Sequence, residues 1–255
     1  MIEVRNISKR FDHKEVLNNI QTSFDPGRVN FIIGRSGSGK SVLTKCVVGL
    51  MEVNEGEILF DGRNFTLMSR PERKIVRQDI GMLFQGSALF DSLTVEENIL
   101  FPLEMFGTMS KAEMKKRVDW CLERVELKGV NKLYPAELSG GMQKRTGIAR
   151  AISMNPKYLF CDEPNSGLDP QTAIVIDNLI KEITYDLKCT TVVVSHDMNS
   201  VMEIGDQINF IHQGKLSWKG DKREILYTNN EDLNRFVFAS EFMQEVRDIL
   251  RRERG

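Results

Sequence analysis

The chain has 255 residues, 41% of them hydrophobic and 28% charged, with a formal net charge of -1. That length can bury a sizeable core in one domain, and the near-neutral balance gives no global electrostatic grip on a phosphate backbone, so no nucleic-acid partner is expected. The four cysteines, Cys46, Cys121, Cys161 and Cys189, lie far apart and form no C-x-x-C pair, so neither a zinc knuckle nor a disulfide framework is indicated.

Residues 1–30 read as short, partly alternating strands with polar turns: Ile2 to Ile7, Val16 to Phe24, then Asp25-Pro26-Gly27. This pattern predicts an antiparallel β layer. Val29 to Ile33 is a nearly continuous apolar run, the mark of a buried strand. It runs into a Gly/Ser-rich loop and then a helical stretch, Ser41 to Leu50, with a further strand at Glu57 to Phe60. From about 95 to 155 the sequence turns charged and helix-forming, with apolar residues at three and four residue intervals over Lys111 to Val125; an inserted helical subdomain is expected there. Strand-like runs return at Tyr158 to Cys161 and Thr190 to Val194, with a helix over Pro170 to Leu187 between them. Glu231 to Arg254 reads as an amphipathic tail, with Phe236, Phe242, Val246, Ile249 and Leu250 near helical spacing. The expected organisation is therefore one domain over 1–230 with its helical insertion, followed by a tail over 231–255. No segment approaches the ~20 uncharged apolar residues of a membrane helix, and the opening Glu3, Arg5 and Lys9 do not make a signal sequence.

Gly34-Arg35-Ser36-Gly37-Ser38-Gly39-Lys40-Ser41 matches G-x-x-x-x-G-K-[ST] between the expected strand and helix. Glycines let the backbone curl until successive N–H groups face phosphate oxygens, and the following helix adds its positive end. Lys40 is expected on the β- and γ-phosphates, and the Ser41 hydroxyl on a magnesium ion bridging them. Tyr158 to Glu163 is an apolar strand ending in two acids, at the carboxyl end of a sheet where such folds bind ligands. Asp162 is expected to hold the magnesium and Glu163 to take a proton from the attacking water. Thr190 to Val194 repeats the design with His196 at its end, a candidate for holding γ-phosphate and water in register.

Leu138-Ser139-Gly140-Gly141-Met142 opens a basic helix, Gln143 to Ser153. Ser139 is a good N-cap, and bare glycine backbone at a helix start makes an anion site. LSGG is the signature of the ABC ATPase family, which this chain resembles over nearly its whole length. The resemblance implies an α/β P-loop NTPase fold with an N-terminal antiparallel β layer and an inserted helical subdomain. It implies ATP and Mg2+ as cofactors, with Ser139, Gly140 and Gly141 serving the nucleotide of a second copy in a two-fold ATP sandwich. In the same way Phe11 resembles the aromatic that stacks on adenine, Gln85 the residue that senses magnesium and water, Val42 the last of the phosphate-loop contacts, and Ser166 to Asp169 the loop that reaches the partner's site. Phe11, Met142 and Gly167 depart from the family's commoner tyrosine, glutamine and alanine. The implied partners are membrane-spanning permease subunits, and the implied location is the cytoplasmic side of the inner membrane, as a peripheral subunit. Phe84 to Val95 together with LSGGM resembles the ATPases of Mla/Mce-type phospholipid transporters, which implies lipid cargo and an Mce-type lipid-binding partner. The alternatives are lipoprotein release, cell division or solute import and, outside transport, a soluble ABC ATPase.

Overall fold

A computed structural model describes residues 1–239 together with 244, 245, 247 and 249. The chain divides into two compact units, one made of Met1–Met68 with the chain from Val194 onward, the other of Ser69–Val193.

The first unit starts with β1 (Ile2–Phe11) and β2 (Lys14–Phe24), an antiparallel hairpin in which Ile2 faces Phe24 and Phe11 faces Lys14. Its inward residues Ile2, Val4, Ile7, Leu17, Ile20 and Phe24 have no exposed surface. β3 (Val29–Ile33) is buried at all five positions, Asn30 included, as a nearly continuous apolar run requires of a strand covered on both faces. α1 (Lys40–Val47) follows the Gly/Ser loop and stops before the expected end at Leu50, because Gly49 turns the backbone left-handed at φ 74°. β4 (Glu55–Phe60) pairs antiparallel with β1, and the short β5 (Arg63–Asn64) pairs with β4, giving the order β2-β1-β4-β5.

The second unit contains α2 (Arg70–Gln78), β6 (Ile80–Leu83), α3 (Val95–Phe106), α4 (Lys111–Arg124), α5 (Gly140–Ile152), β7 (Tyr158–Asp162), α6 (Pro170–Leu187) and β8 (Thr190–Val194). β6 and β7 run parallel with Ile80 opposite Tyr158, and β7 and β8 are again nearly all buried. Helices α2, α3 and α4 each begin with a capping box, Ser69/Glu72, Thr94/Glu97 and Ser110/Glu113, in which two orphan amide groups are satisfied reciprocally.

The chain returns to the first unit with α7 (Met198–Ile204), β9 (Gln207–His212), β10 (Lys215–Gly220), α8 (Glu224–Tyr227) and α9 (Glu231–Val237). β9 pairs parallel with β3 and antiparallel with β10. Of the expected tail, α9 sits on its own unit: the Phe236 ring lies 5.5 Å from that of Phe210, and Asn230 Nδ2 donates to Ser217 O at 2.9 Å. Ile249 is exposed; Phe242, Val246 and Leu250 lie outside the described residues.

All four cysteines are buried and reduced, and burial pushes the Cys46 thiol up to about 11 and that of Cys121 up to about 12. They pack as small hydrophobes rather than nucleophiles.

Candidate nucleotide-binding site

In the first unit, β3 delivers the chain into the phosphate loop and α1 carries it away. Gly34 has φ 150°, and a Cβ placed there would lie 2.2 Å from Ile211 O and 2.8 Å from Ser38 Oγ. Gly39 is left-handed at φ 107°, and its Cβ would meet Leu17 Cδ2 at 2.8 Å. Both positions therefore demand glycine for backbone angle and for space. Lys40 is 8% exposed and curls back over the loop, its Nζ donating to Gly34 O at 2.8 Å and Arg35 O at 3.1 Å. Arg35, Ser36 and Gly37 are exposed at the rim, Ser41 is exposed and Val42 half-buried at the helix start. Ser38 Oγ is buried with no hydrogen-bond partner. A buried hydroxyl is normally paired, so this one suits a bound anion.

Two further expected residues join that unit. Phe11 ends β1 with its ring 41% exposed and Lys9 Nζ 5.0 Å from the ring centroid. His196 is exposed just after Ser195, whose N–H donates to Ile32 O at 3.3 Å, so the imidazole leaves the backbone beside the strand that feeds the phosphate loop. Asp197 then caps α7, accepting from Asn199 N–H at 2.9 Å.

The second unit carries the other expected groups. Asp162 and Glu163 are half-buried at the end of β7, and Glu163 has φ 47°. A non-glycine residue in that region costs about 1 kcal/mol or more and is held there by its surroundings. Gln85 is exposed after β6, and Ser87 and Ala88 behind it are left-handed at φ 61° and 47°. Ser139 caps α5, its Oγ accepting from Met142 N–H at 3.3 Å, and both Ser139 and Gly140 are exposed. A Cβ on Gly141 would lie 2.7 Å from Thr172 Cγ2. Thr172 in turn donates to Asp169 Oδ2 at 2.6 Å, while Asp169 Oδ1 accepts from the N–H groups of Gln171 and Thr172. These bonds hold the Asp169 carboxyl below the usual carboxylate range. The signature glycines and Asp169 are thereby brought together at the open N-termini of two helices.

Sequence reasoning missed the groups that hold the Gln85 segment. Lys144 donates to Gln85 O, and Arg150 donates to Ser87 O at 2.7 Å and Ala88 O at 2.8 Å. Beside this segment lies a groove of about 420 Å³ lined by Met82, Phe84, Ala88, Phe90, Phe101 and Phe106 among others. Ala88 and Phe90 are exposed. Among the described residues no cluster of three or more His, Cys, Asp or Glu could hold a metal ion by itself, and no helix is long and apolar enough to cross a membrane.

Residues 17–166 match the family model described as ABC transporter. The chain belongs to the ABC transporter family. Over 99% of its length this ABC ATPase is 37% identical to the methionine import ATP-binding protein MetN of Desulfitobacterium hafniense (strain Y51), covering 75% of that protein. It is 38% identical to MetN 2 of Pseudomonas entomophila (strain L48) over 96% of its length, again covering 75% of the relative. Among solved structures it resembles the ATP-binding cassette MJ0796, described as a dimeric post-hydrolysis state bound to ADP and Pi, with a TM-score of 0.80, 32% identity and coverage of 88% of this chain and 99% of that one. It also resembles cbiO1 of Clostridium perfringens, part of a complex named cbiONQ, with a TM-score of 0.83 and 27% identity over 98% of each chain. The expected fold and the expected use of ATP with Mg2+ follow from this membership, and ABC ATPases dimerise and pair with membrane permease subunits. The phospholipid expectation and the Mce-type partner find no support in the relatives, which are named for methionine import.

Proposed function

We propose that ATP binding closes two copies of this chain head to tail and that hydrolysis reopens them, driving membrane subunits between conformations. The observation that carries this reading is the glycine-shaped loop with its buried Lys40 and the unpartnered Ser38 hydroxyl, in a chain that also bears an open, serine-capped signature helix. Residues 34–42 cradle the phosphates, with Lys40 as the cation and Phe11 under the base. Ser41 and Asp162 hold the magnesium, with Gln85 sensing it and the water, and the bound ion neutralises phosphate charge. Glu163 takes the proton of the attacking water and His196 keeps water and γ-phosphate in register. Ser139, Gly140, Gly141 and Asp169 serve the partner copy's nucleotide. The apolar groove beside Gln85 suits a helix of a membrane subunit, so residues 86–106 carry the motion outward.

Two cargo readings follow from different observations. The relatives' names favour import of a small solute such as methionine. The segment Phe84 to Val95 supports phospholipid transport. Identifying the membrane subunits in a native complex decides between them: an amino-acid permease sinks the lipid reading, and an Mce-type lipid-binding subunit sinks the import reading. For the chemistry, Glu163→Gln is expected to keep ATP binding and hold the dimer closed while kcat falls by about 10²–10⁴-fold. Near-parental turnover would remove Glu163 from the base role.

A further inference from the structure

Of the cations on the basic helix α5, Lys144 turns inward. Lys144 is 5% exposed, on the first turns of the helix that Ser139 caps. Its ammonium donates to Gln85 O and, at 3.4 Å, to Glu163 O. Burial lowers its proton affinity below the usual lysine value, a desolvation cost that the nearby Asp162 and Glu163 charges offset only in part.

Glu163 O also accepts from Ser166 N–H at 3.2 Å, so a turn bond and a cation meet on the left-handed residue at the proposed base. Three carriers of the proposed chemistry thus share one side chain: the helix behind the signature glycines, the Gln85 segment and the Glu163 turn. Arg150, two turns further along α5, donates to the Ser87 and Ala88 carbonyls and lies 5.9 Å from the Phe90 ring centroid, whereas Lys144 also reaches the Glu163 turn.

We infer that Lys144 is a positioning residue for hydrolysis, a buried strut that sets the Glu163 backbone and the Gln85 backbone by reference to the signature helix. It touches no nucleotide; it acts through Glu163 and Gln85, and the inference rests on the base role proposed for Glu163. A strut of this kind transmits a shift of α5, as when the partner's nucleotide docks on Ser139 and Gly140, to both residues at once. It affects the geometry of the chemical step and leaves the phosphate loop untouched.

The test uses the full chain with Lys144→Met, and Lys144→Gln if the methionine variant does not fold, with folding followed by circular dichroism. The expected result is a kcat reduced by about 10- to 100-fold, the scale of a small misplacement of a reacting group, with the KM for ATP within about twofold of the parent. On a Glu163→Gln background the same change should add no further loss, as expected of two residues acting as one unit. Hydrogen exchange should quicken over residues 85–88 and 163–166 and not over 34–42. A folded variant with kcat within about twofold of the parent, a loss carried by KM, or exchange unchanged in both segments would overturn the inference. Glu163→Gln alone separates the two failures: if it retains turnover the base assignment falls, and if it is inactive while Lys144→Met turns over normally the strut falls.

Discussion

Asn98 offers a direct measure of how firmly the Gln85 side of the molecule is built. It has no exposed surface, and its amide is fully engaged: Oδ1 accepts from Phe90 N–H at 2.8 Å, and Nδ2 donates to Phe90 O, Leu93 O and Thr94 O at 3.1, 3.1 and 3.0 Å. Asn98→Ala removes all four bonds. Phe90 O keeps the Leu93 N–H and Thr94 O keeps the backbone N–H of residue 98, whereas Phe90 N–H and Leu93 O lose a partner inside the protein. With a net ~1 kcal/mol for each such bond, the expected destabilisation is about 2–3 kcal/mol. Asn98→Asp keeps the acceptor for Phe90 but turns a carboxylate oxygen on three carbonyls, so it should cost more than alanine. Urea unfolding with an unchanged slope reads this directly as a shift of midpoint. Because Phe90 lines the groove, the activity stimulated by membrane subunits should fall further than basal hydrolysis. An alanine variant within about 0.5 kcal/mol of the parent, or an aspartate milder than alanine, would refute the reasoning.

Lys40→Ala should weaken ATP binding itself, measured by calorimetry, because it takes the buried cation from the loop. Phe11→Ala should reduce nucleotide affinity about tenfold, the lower end of what base stacking on an aromatic ring is worth, with kcat retained at saturation. The hydrogen bonds from Ser69, Thr94 and Ser110 hold Glu72, Glu97 and Glu113 below their ordinary value of 4.5. A depressed native value contributes stability that is present above the unfolded value and is lost as pH falls through the native one. Thermal midpoints should therefore drop as the solution is acidified below 4.5, and less steeply in Thr94→Ala, which deletes one of these caps. Maleimide should leave all four cysteines unmodified in the native protein and label them after denaturation.

Much of this architecture was legible because the decisive strands are buried on both faces. β3 and β8 match the expected Val29 to Ile33 and Thr190 to Val194 residue for residue, as short, largely apolar and β-branched runs bounded by turn or charged residues can be read as strands without knowing their neighbours. α6 matched Pro170 to Leu187 because Asp169 and Pro170 mark its start chemically. α2 escaped notice: Arg-Pro-Glu-Arg-Lys-Ile-Val-Arg-Gln is mostly charged and buries only Val76, so too few apolar positions recur to mark a helix, and the Ser69/Glu72 capping box was the signal that could have found it. The β9–β10 hairpin was also passed over, although Gln213-Gly214, both left-handed at φ 47° and 75°, is a turn a strand pair demands. Lys144 and Arg150 could not be found from the sequence, since a charged residue on a basic helix reads as solvated until the carbonyls it meets, from 60 or so residues upstream, are placed beside it.

The approach of Gly39 and Gly214 has a bearing on engineering. A Cβ on Gly39 would lie 3.0 Å from Val16 O and one on Gly214 2.5 Å from the same oxygen, while Asn18 N–H donates to Gly214 O at 2.8 Å and Gly214 N–H to Ser38 O at 3.1 Å. Three stretches far apart in the chain thus cross with bare main chain against bare main chain, as layers of unglazed tile meet at a corner. A peptide tag spliced after Gln213 would pry that corner open and disturb nucleotide grip from a surface turn.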